Sequence, residues 1–260
     1  MGVATFVVFL FGAIWGSFAN VVIYRLPHEK SVVKPRSRCP KCEAAIQWYD
    51  NIPILSWLFL RGRCRSCKAK ISWRYPLVEF LMGSVFAIVF YQFGFSWLTL
   101  EYLVFAFGLI VVSFIDFDHM ILPDVFTLSG VVLGLLGAAL NPEREFMSAL
   151  WGVLMGGGSL YLVAYIYFAL RKEEGMGGGD IKLLAWIGAL LGWKSIPFVI
   201  LASSLVGSVV GILIMIRSRE GMKAAIPFGP YLALGALIYM IGGSQLIDWY
   251  FRLHIPSLGQ

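Results

Sequence analysis

The sequence predicts an all-α polytopic membrane protein of about eight transmembrane helices, N-terminus outside, with a small zinc-ribbon-like cytoplasmic insert. Three observations predict it. The 260 residues are 59% hydrophobic and 14% charged, whereas soluble domains run at roughly 45–50% and about 25%. The apolar residues form long uninterrupted stretches. The charge is concentrated: residues 25–75 hold 12 Lys/Arg and 3 Asp/Glu, net +9, while the rest of the chain is net −3. This pattern excludes a disordered chain, a disulfide miniprotein and a soluble α/β enzyme.

A span needs about 20 mainly apolar residues, because lipid supplies no partner for an open backbone. Candidate spans run over 2–23, 77–94, 97–115, 123–140, 147–169, 181–192, 195–216 and 227–246, each bounded by charges or Pro/Gly turns. The first has no Lys or Arg before it and Arg25 after it, which predicts an uncleaved span rather than a secretory leader. The sixth is short. Short loops rich in Lys and Arg stay cytoplasmic. An outside N-terminus places 18 of the 21 Lys/Arg in inner loops, leaving Arg144, Lys194 and Arg252 outside, with Trp97, Trp193, Trp249 and Tyr250 at an outer aromatic belt. Deleting the sixth span would move the last basic loop outside, so the charge bias supports it. No repeat of 20 to 50 residues is evident. The domain organisation read from this pattern is a first transmembrane helix, 1–24, a cytoplasmic insert, 25–75, and a membrane core of about seven helices, 76–260.

The insert holds all four cysteines as Cys39-Pro-Lys-Cys42 and Cys64-Arg-Ser-Cys67, two C-x2-C pairs 21 residues apart. Two knuckles aimed at one centre complete the tetrahedral thiolate shell of a structural Zn²⁺, with no open position for catalysis. A redox dithiol or two disulfides would use the same residues, but a cytoplasmic loop lies in a reducing compartment. The surrounding Arg61, Arg63, Arg65, Lys68, Lys70 and Arg74 are read as insertion-rule charges touching anionic lipid, and no nucleic-acid partner is expected.

Ionisable groups in apolar spans are costly and are functional candidates for that reason. Asp116, in Ile115-Asp116-Phe117-Asp118-His119, closes the third span. Asp180 follows Gly177-Gly178-Gly179 and opens the sixth, and the predicted topology puts both at the inner face. Two nearby carboxyl groups do not both ionise cheaply, so the pair can act as base and acid in peptide hydrolysis without a covalent intermediate. Asp124, after Pro123, suits a helix N-terminus, where the dipole favours it. Asp118 reads as a solvated loop charge, with a place in the pair instead of Asp116 as its alternative, and Asp180 could also be a helix cap. Gly156-Gly157-Gly158 reads as close helix packing. His28, His119 and His254 form no metalloprotease pattern, and no nucleotide-binding fingerprint occurs.

With those residues in view, the chain resembles the type IV prepilin leader peptidases of the Gly-x-Gly-Asp class of membrane aspartic proteases. The resemblance runs through Gly16-Ser17-Phe18-Ala19-Asn20 to Arg25-Leu26-Pro27, the two C-x2-C pairs, Asn51-Ile52-Pro53, Gly62-Arg63-Cys64, Tyr75-Pro76-Leu77-Val78-Glu79 and Pro227-Phe228-Gly229-Pro230. It implies a cut between the basic leader and the apolar helix of prepilins or pseudopilins at the cytoplasmic face of a bacterial inner membrane, with Asp116 and Asp180 as the catalytic pair. It also implies methylation of the new N-terminus with S-adenosylmethionine, for which the residues themselves show no donor site. The alternatives are a non-catalytic zinc-ribbon membrane anchor and a proton-coupled transporter.

Overall fold

A computed structural model describes residues 2–173, 177–217, 226–243 and 245–246. Gly175 and Met176 of the glycine-rich loop, Arg219 and Lys223 of the last basic loop, and Trp249, Tyr250, Arg252 and His254 lie outside the described residues. Every predicted span falls on a helix: α1 Gly2–Arg25, α3 Arg74–Phe93, α4 Trp97–His119, α5 Asp124–Leu140, α6 Phe146–Arg171, α7 Gly178–Leu191, α8 Ser195–Arg217 and α9 Gly229–Ile238, the last continued by a π-turn Tyr239–Gly243. A short α2, Leu55–Phe59, lies in the insert. Of these, α1, α3, α4, α6 and α8 have the length and composition to cross a membrane, whereas α5 and α9 with its π-turn are shorter apolar helices. The chain divides into two compact units, Met1–Ile115 and Asp116–Gln260.

In the first unit, α1 packs along α3 through small residues. A Cβ on Gly12 would stand 2.8 Å from the Phe86 Cβ, and one on Gly16 would stand 2.6 Å from the Glu79 Cα. Neither helix can shift outward without opening that seam, as expected where helices associate by close packing rather than by hydrophobic exclusion. Asn20, buried beside the seam, donates its amide to the carbonyls of Gly16 and Tyr75. The turn into α4 begins at Gly94 (φ 64°) and closes where Ser96 accepts the Thr99 N–H, a side-chain N-cap.

The insert contains a duplication that sequence inspection overlooks. Arg38-Cys39-x-x-Cys42-x-Ala44-x-Ile46-x-Trp48 recurs as Arg63-Cys64-x-x-Cys67-x-Ala69-x-Ile71-x-Trp73, 25 residues on. Each copy folds as the same knuckle. The N–H groups of Cys39 and Cys64 bond the carbonyls of Ala44 and Ala69 at 3.0 and 2.8 Å, and Glu43 and Lys68 take the same left-handed conformation. The isolated bridges Arg38–Ala45 and Arg63–Lys70 also correspond. The recurrence occupies only 11 positions in each copy, far fewer than a solenoid unit, with variable residues between them.

The second unit is built around α7, on which every residue from Leu183 to Leu190 is buried. At 14 residues it spans only about 21 Å at 1.5 Å per residue. Its all-round apolar surface is explained by α5 and α6 on either side. The backbones of Gly152 and Gly188 touch directly, Gly156 lies against the Leu184 carbonyl, and Gly130 lies against the Trp186 ring. The Gly156 region is thus a packing stripe, as expected. Arg144 finishes the bundle by donating to the Ala189 and Leu190 carbonyls, satisfying the end of α7, and to the Gly134 carbonyl inside α5.

Candidate functional site

Asp116 sits in the last turn of α4 and is 5% exposed. The chain turns immediately afterwards: Met120, with φ 55°, bonds back to the Asp116 carbonyl, and Leu122 then tucks inward ahead of α5. The Asp116 carboxylate is held from across the unit. The Gly229 N–H donates to its Oδ2 at 3.1 Å. Gly229 is the first residue of α9, so this is one of the unpaired amides at a helix N-terminus, where partial positive charge gathers. A side chain is excluded here, since a Cβ would stand 2.7 Å from that same oxygen and 3.0 Å from Leu122 Cδ2.

Asp180 occupies the first turn of α7 and is partly buried. Gly179 lies flat on Leu122, with room for no Cβ (2.9 Å to Leu122 Cβ). Leu122 therefore contacts both glycine turns, the one ahead of Asp180 and the one that holds Asp116. The sequence names both acids; it assigns no part to Gly229 or Leu122. Gly229 was visible within Pro-Phe-Gly-Pro, but nothing local indicates a partner 113 residues away.

The other acids are placed differently. Asp118 is exposed. Asp124 stands in the first turn of α5, as expected, and also accepts Lys182 Nζ at 2.7 Å. That ion pair ties the start of α5 to the start of α7, two residues beyond Asp180.

In the first unit, the four cysteine sulfurs lie within 4.8 Å of one another. Across the two knuckles, the Cys39 and Cys67 sulfurs stand 3.8 Å apart and those of Cys42 and Cys64 4.0 Å apart. A tetrahedral zinc with Zn–S bonds of about 2.3 Å requires S···S edges of about 3.8 Å. The donor set therefore fits the metal, and these distances are far longer than a disulfide bond. The backbone amides of Cys42 and Lys41 draw the Cys39 thiol down to about 6. The knuckles are fastened to the intervening chain by Arg65, whose fork grips both oxygens of Asp50 and whose plane lies over the Tyr49 ring. The hydrogen bond from Arg65 holds the Asp50 carboxyl below its usual range.

Two family models match the chain in succession. One described as the bacterial peptidase A24 N-terminal domain covers residues 10–93, and one described as the type IV leader peptidase family covers residues 103–212. Similar chains named prepilin leader peptidase/N-methyltransferase occur in Aeromonas hydrophila, Pseudomonas aeruginosa and Stutzerimonas stutzeri. The first is 41% identical, covering 94% of this chain and 92% of its own. The second is 39% identical with the same coverage, and the third 38% identical with 93% and 91%. No solved structure matches.

Proposed function

The chain belongs to the type IV leader peptidase family, and we propose that Asp116 and Asp180 are the carboxyl pair that performs its hydrolysis. It is a multi-pass membrane enzyme that processes prepilins and methylates their N-termini. The observation that carries the site assignment is the shared Leu122 contact, which brings the ends of α4 and α7 together with a helix N-terminus aimed at one carboxylate. In the proposed mechanism, one carboxylate takes a proton from a water as it attacks the scissile carbonyl while the other carboxyl protonates the carbonyl oxygen; the gem-diol then collapses as the C–N bond breaks, the first carboxyl giving its proton to the leaving amine and the second carboxylate recovering one from a hydroxyl. Gly229 anchors one oxygen of Asp116 and leaves the other for this exchange. The glycines ahead of Asp180 let the substrate backbone approach closely.

The finer topology belongs to the same proposal: eight crossings, an outside N-terminus, and both the insert and the dyad at the cytoplasmic face of a bacterial inner membrane. The Lys/Arg distribution supports it. The division into a first helix, 1–24, a cysteine insert, 25–75, and a protease core, 76–260, belongs to the same proposal. Cys39, Cys42, Cys64 and Cys67 would hold a structural Zn²⁺, whose part is to organise an insert with little core of its own. S-adenosylmethionine is the proposed methyl donor, with no residue assigned to it. The substrates are prepilins or pseudopilins, with membrane lipid as the surrounding partner.

Asp116→Asn and Asp180→Asn are each expected to give inserted, metal-loaded protein that leaves a prepilin uncut in detergent, while Asp118→Asn still cuts. Processing retained in either dyad variant rejects the assignment. An anchor or a transporter would yield no shortened product from the wild type.

A further inference from the structure

The insert is not uniformly polar. Residues 51–60, Asn-Ile-Pro-Ile-Leu-Ser-Trp-Leu-Phe-Leu, carry no charge in a segment where charge is otherwise dense. They form the turn into α2 and α2 itself. That helix is amphipathic in the inverted sense. Leu55, Leu58 and Phe59, at i, i+3 and i+4, face outward, with Phe59 84% exposed. The polar Ser56 is buried and donates to the carbonyls of Tyr49 and Ile52, and Trp57 turns inward to donate to the Ile71 carbonyl. A helix facing water would show the opposite arrangement.

The depth of the segment is set by Glu79. This buried carboxylate accepts the Ile54 N–H at 2.7 Å, with Ile54 held at φ 62°, an unfavourable conformation for a β-branched residue. Glu79 is five residues into α3 from Arg74, about 7.5 Å along the helix. Glu79 also lies against Gly16, nine residues, or about 13 Å, back from Arg25 at the end of α1. The chain at 52–55 is thus fastened below the level at which α1 and α3 present their terminal arginines. Beside the far end of α2, Arg61, Arg63 and Lys68 line a cleft of about 290 Å³ with Leu60 and Cys64. Among the described residues none of these three cations has an ion-pair partner.

We infer that residues 52–59 form a re-entrant interfacial segment, with Leu55, Leu58 and Phe59 seated among the acyl chains and the Arg61/Arg63/Lys68 cleft taking an anionic phospholipid headgroup. Three features select lipid as the occupant: continuity with the spans α1 and α3, the apolar outward face at that depth, and the adjacent unpaired cations. The insert is then tethered to the bilayer at a third point, between its two flanking helices.

The test uses the full-length protein in vesicles of phosphatidylethanolamine and phosphatidylglycerol containing a trace of acyl-diazirine phospholipid. After irradiation, adducts are mapped by peptide mass spectrometry. The tryptic peptide 42–61 is expected to carry lipid on Leu55, Leu58 or Phe59 at a yield within about threefold of α1 peptides. A Leu58→Glu/Phe59→Glu double variant is expected to lower that yield about tenfold with α1 labelling unchanged. Labelling confined to the spans in the wild-type protein overturns the inference without recourse to a variant. Shielding of 42–61 by cross-links to a second copy or to a protein substrate also overturns it. Replacing the anionic lipid by phosphatidylcholine is expected to reduce labelling of 42–61 relative to α1, and an unchanged ratio removes the headgroup from the cleft.

Discussion

Asp116 and Asp180 were legible because an acid in an apolar stretch is costly and therefore conspicuous. The residues that hold them were not, because glycine and leucine are ordinary in such a chain and act only through neighbours brought in from elsewhere. Gly229 exemplifies this: its amide orients Asp116, and its missing side chain leaves room for the carboxylate. Gly229→Ala pushes a methyl group toward that oxygen, and a displacement approaching 1 Å at a reacting group costs about 10²-fold in rate. The variant is expected to insert normally and cut a prepilin about 10²-fold more slowly, measured as initial rate in detergent. Wild-type kinetics would mean that the α9 N-terminus plays no part in the chemistry.

The same contrast holds for whole elements. The long helices follow from apolar length alone, and the two knuckles follow from cysteine spacing. Their equivalence is also written in the 25-residue recurrence of Arg, Cys, Cys, Ala, Ile and Trp, and the structure adds the matching left-handed turns at Glu43 and Lys68. Asp50 and Arg65 fasten this unit. The folded Asp50 pKa is lowered by Arg65, so the pair's stabilisation is fully present above the ordinary value of 3.8 and is lost as pH falls through the lowered folded value. Asp50→Asn is expected to speed metal release from the insert at neutral pH, with the difference from wild type vanishing in strong acid. A chromogenic chelator follows this directly, and equal release rates at pH 7 would dismiss the pair. In the second unit, the direct backbone contact of Gly152 with Gly188 allows no side chain. Gly188→Val is expected to separate α6 from α7 and destabilise the protein by about 3 kcal/mol or more, seen as lost accumulation in the membrane and a lower melting temperature.

At the scale of the molecule, the contacts described for the two acids all lie within Asp116–Gln260, and the four cysteines all lie within Met1–Ile115. Metal removal should therefore separate the two regions functionally. Chelation is expected to abolish amide-exchange protection through residues 37–71 while prepilin cleavage stays within about tenfold of the untreated rate. Loss of cleavage to background on chelation would show that the dyad depends on the folded insert. The sequence by itself determined the helical membrane class, the basic insert, the cysteine set and the two acids. Each of these is written in local composition or spacing, where desolvation and ligand geometry leave few alternatives. Only the tertiary structure decided that α7 is the buried centre of its unit, that Gly229 holds Asp116 while Leu122 lies against both Gly229 and Gly179, and that Glu79 draws an uncharged stretch of the insert down beside α3. These arrangements depend on close approaches between distant segments, permitted by missing side chains and directed by single hydrogen bonds, and such approaches leave no periodic trace along the chain.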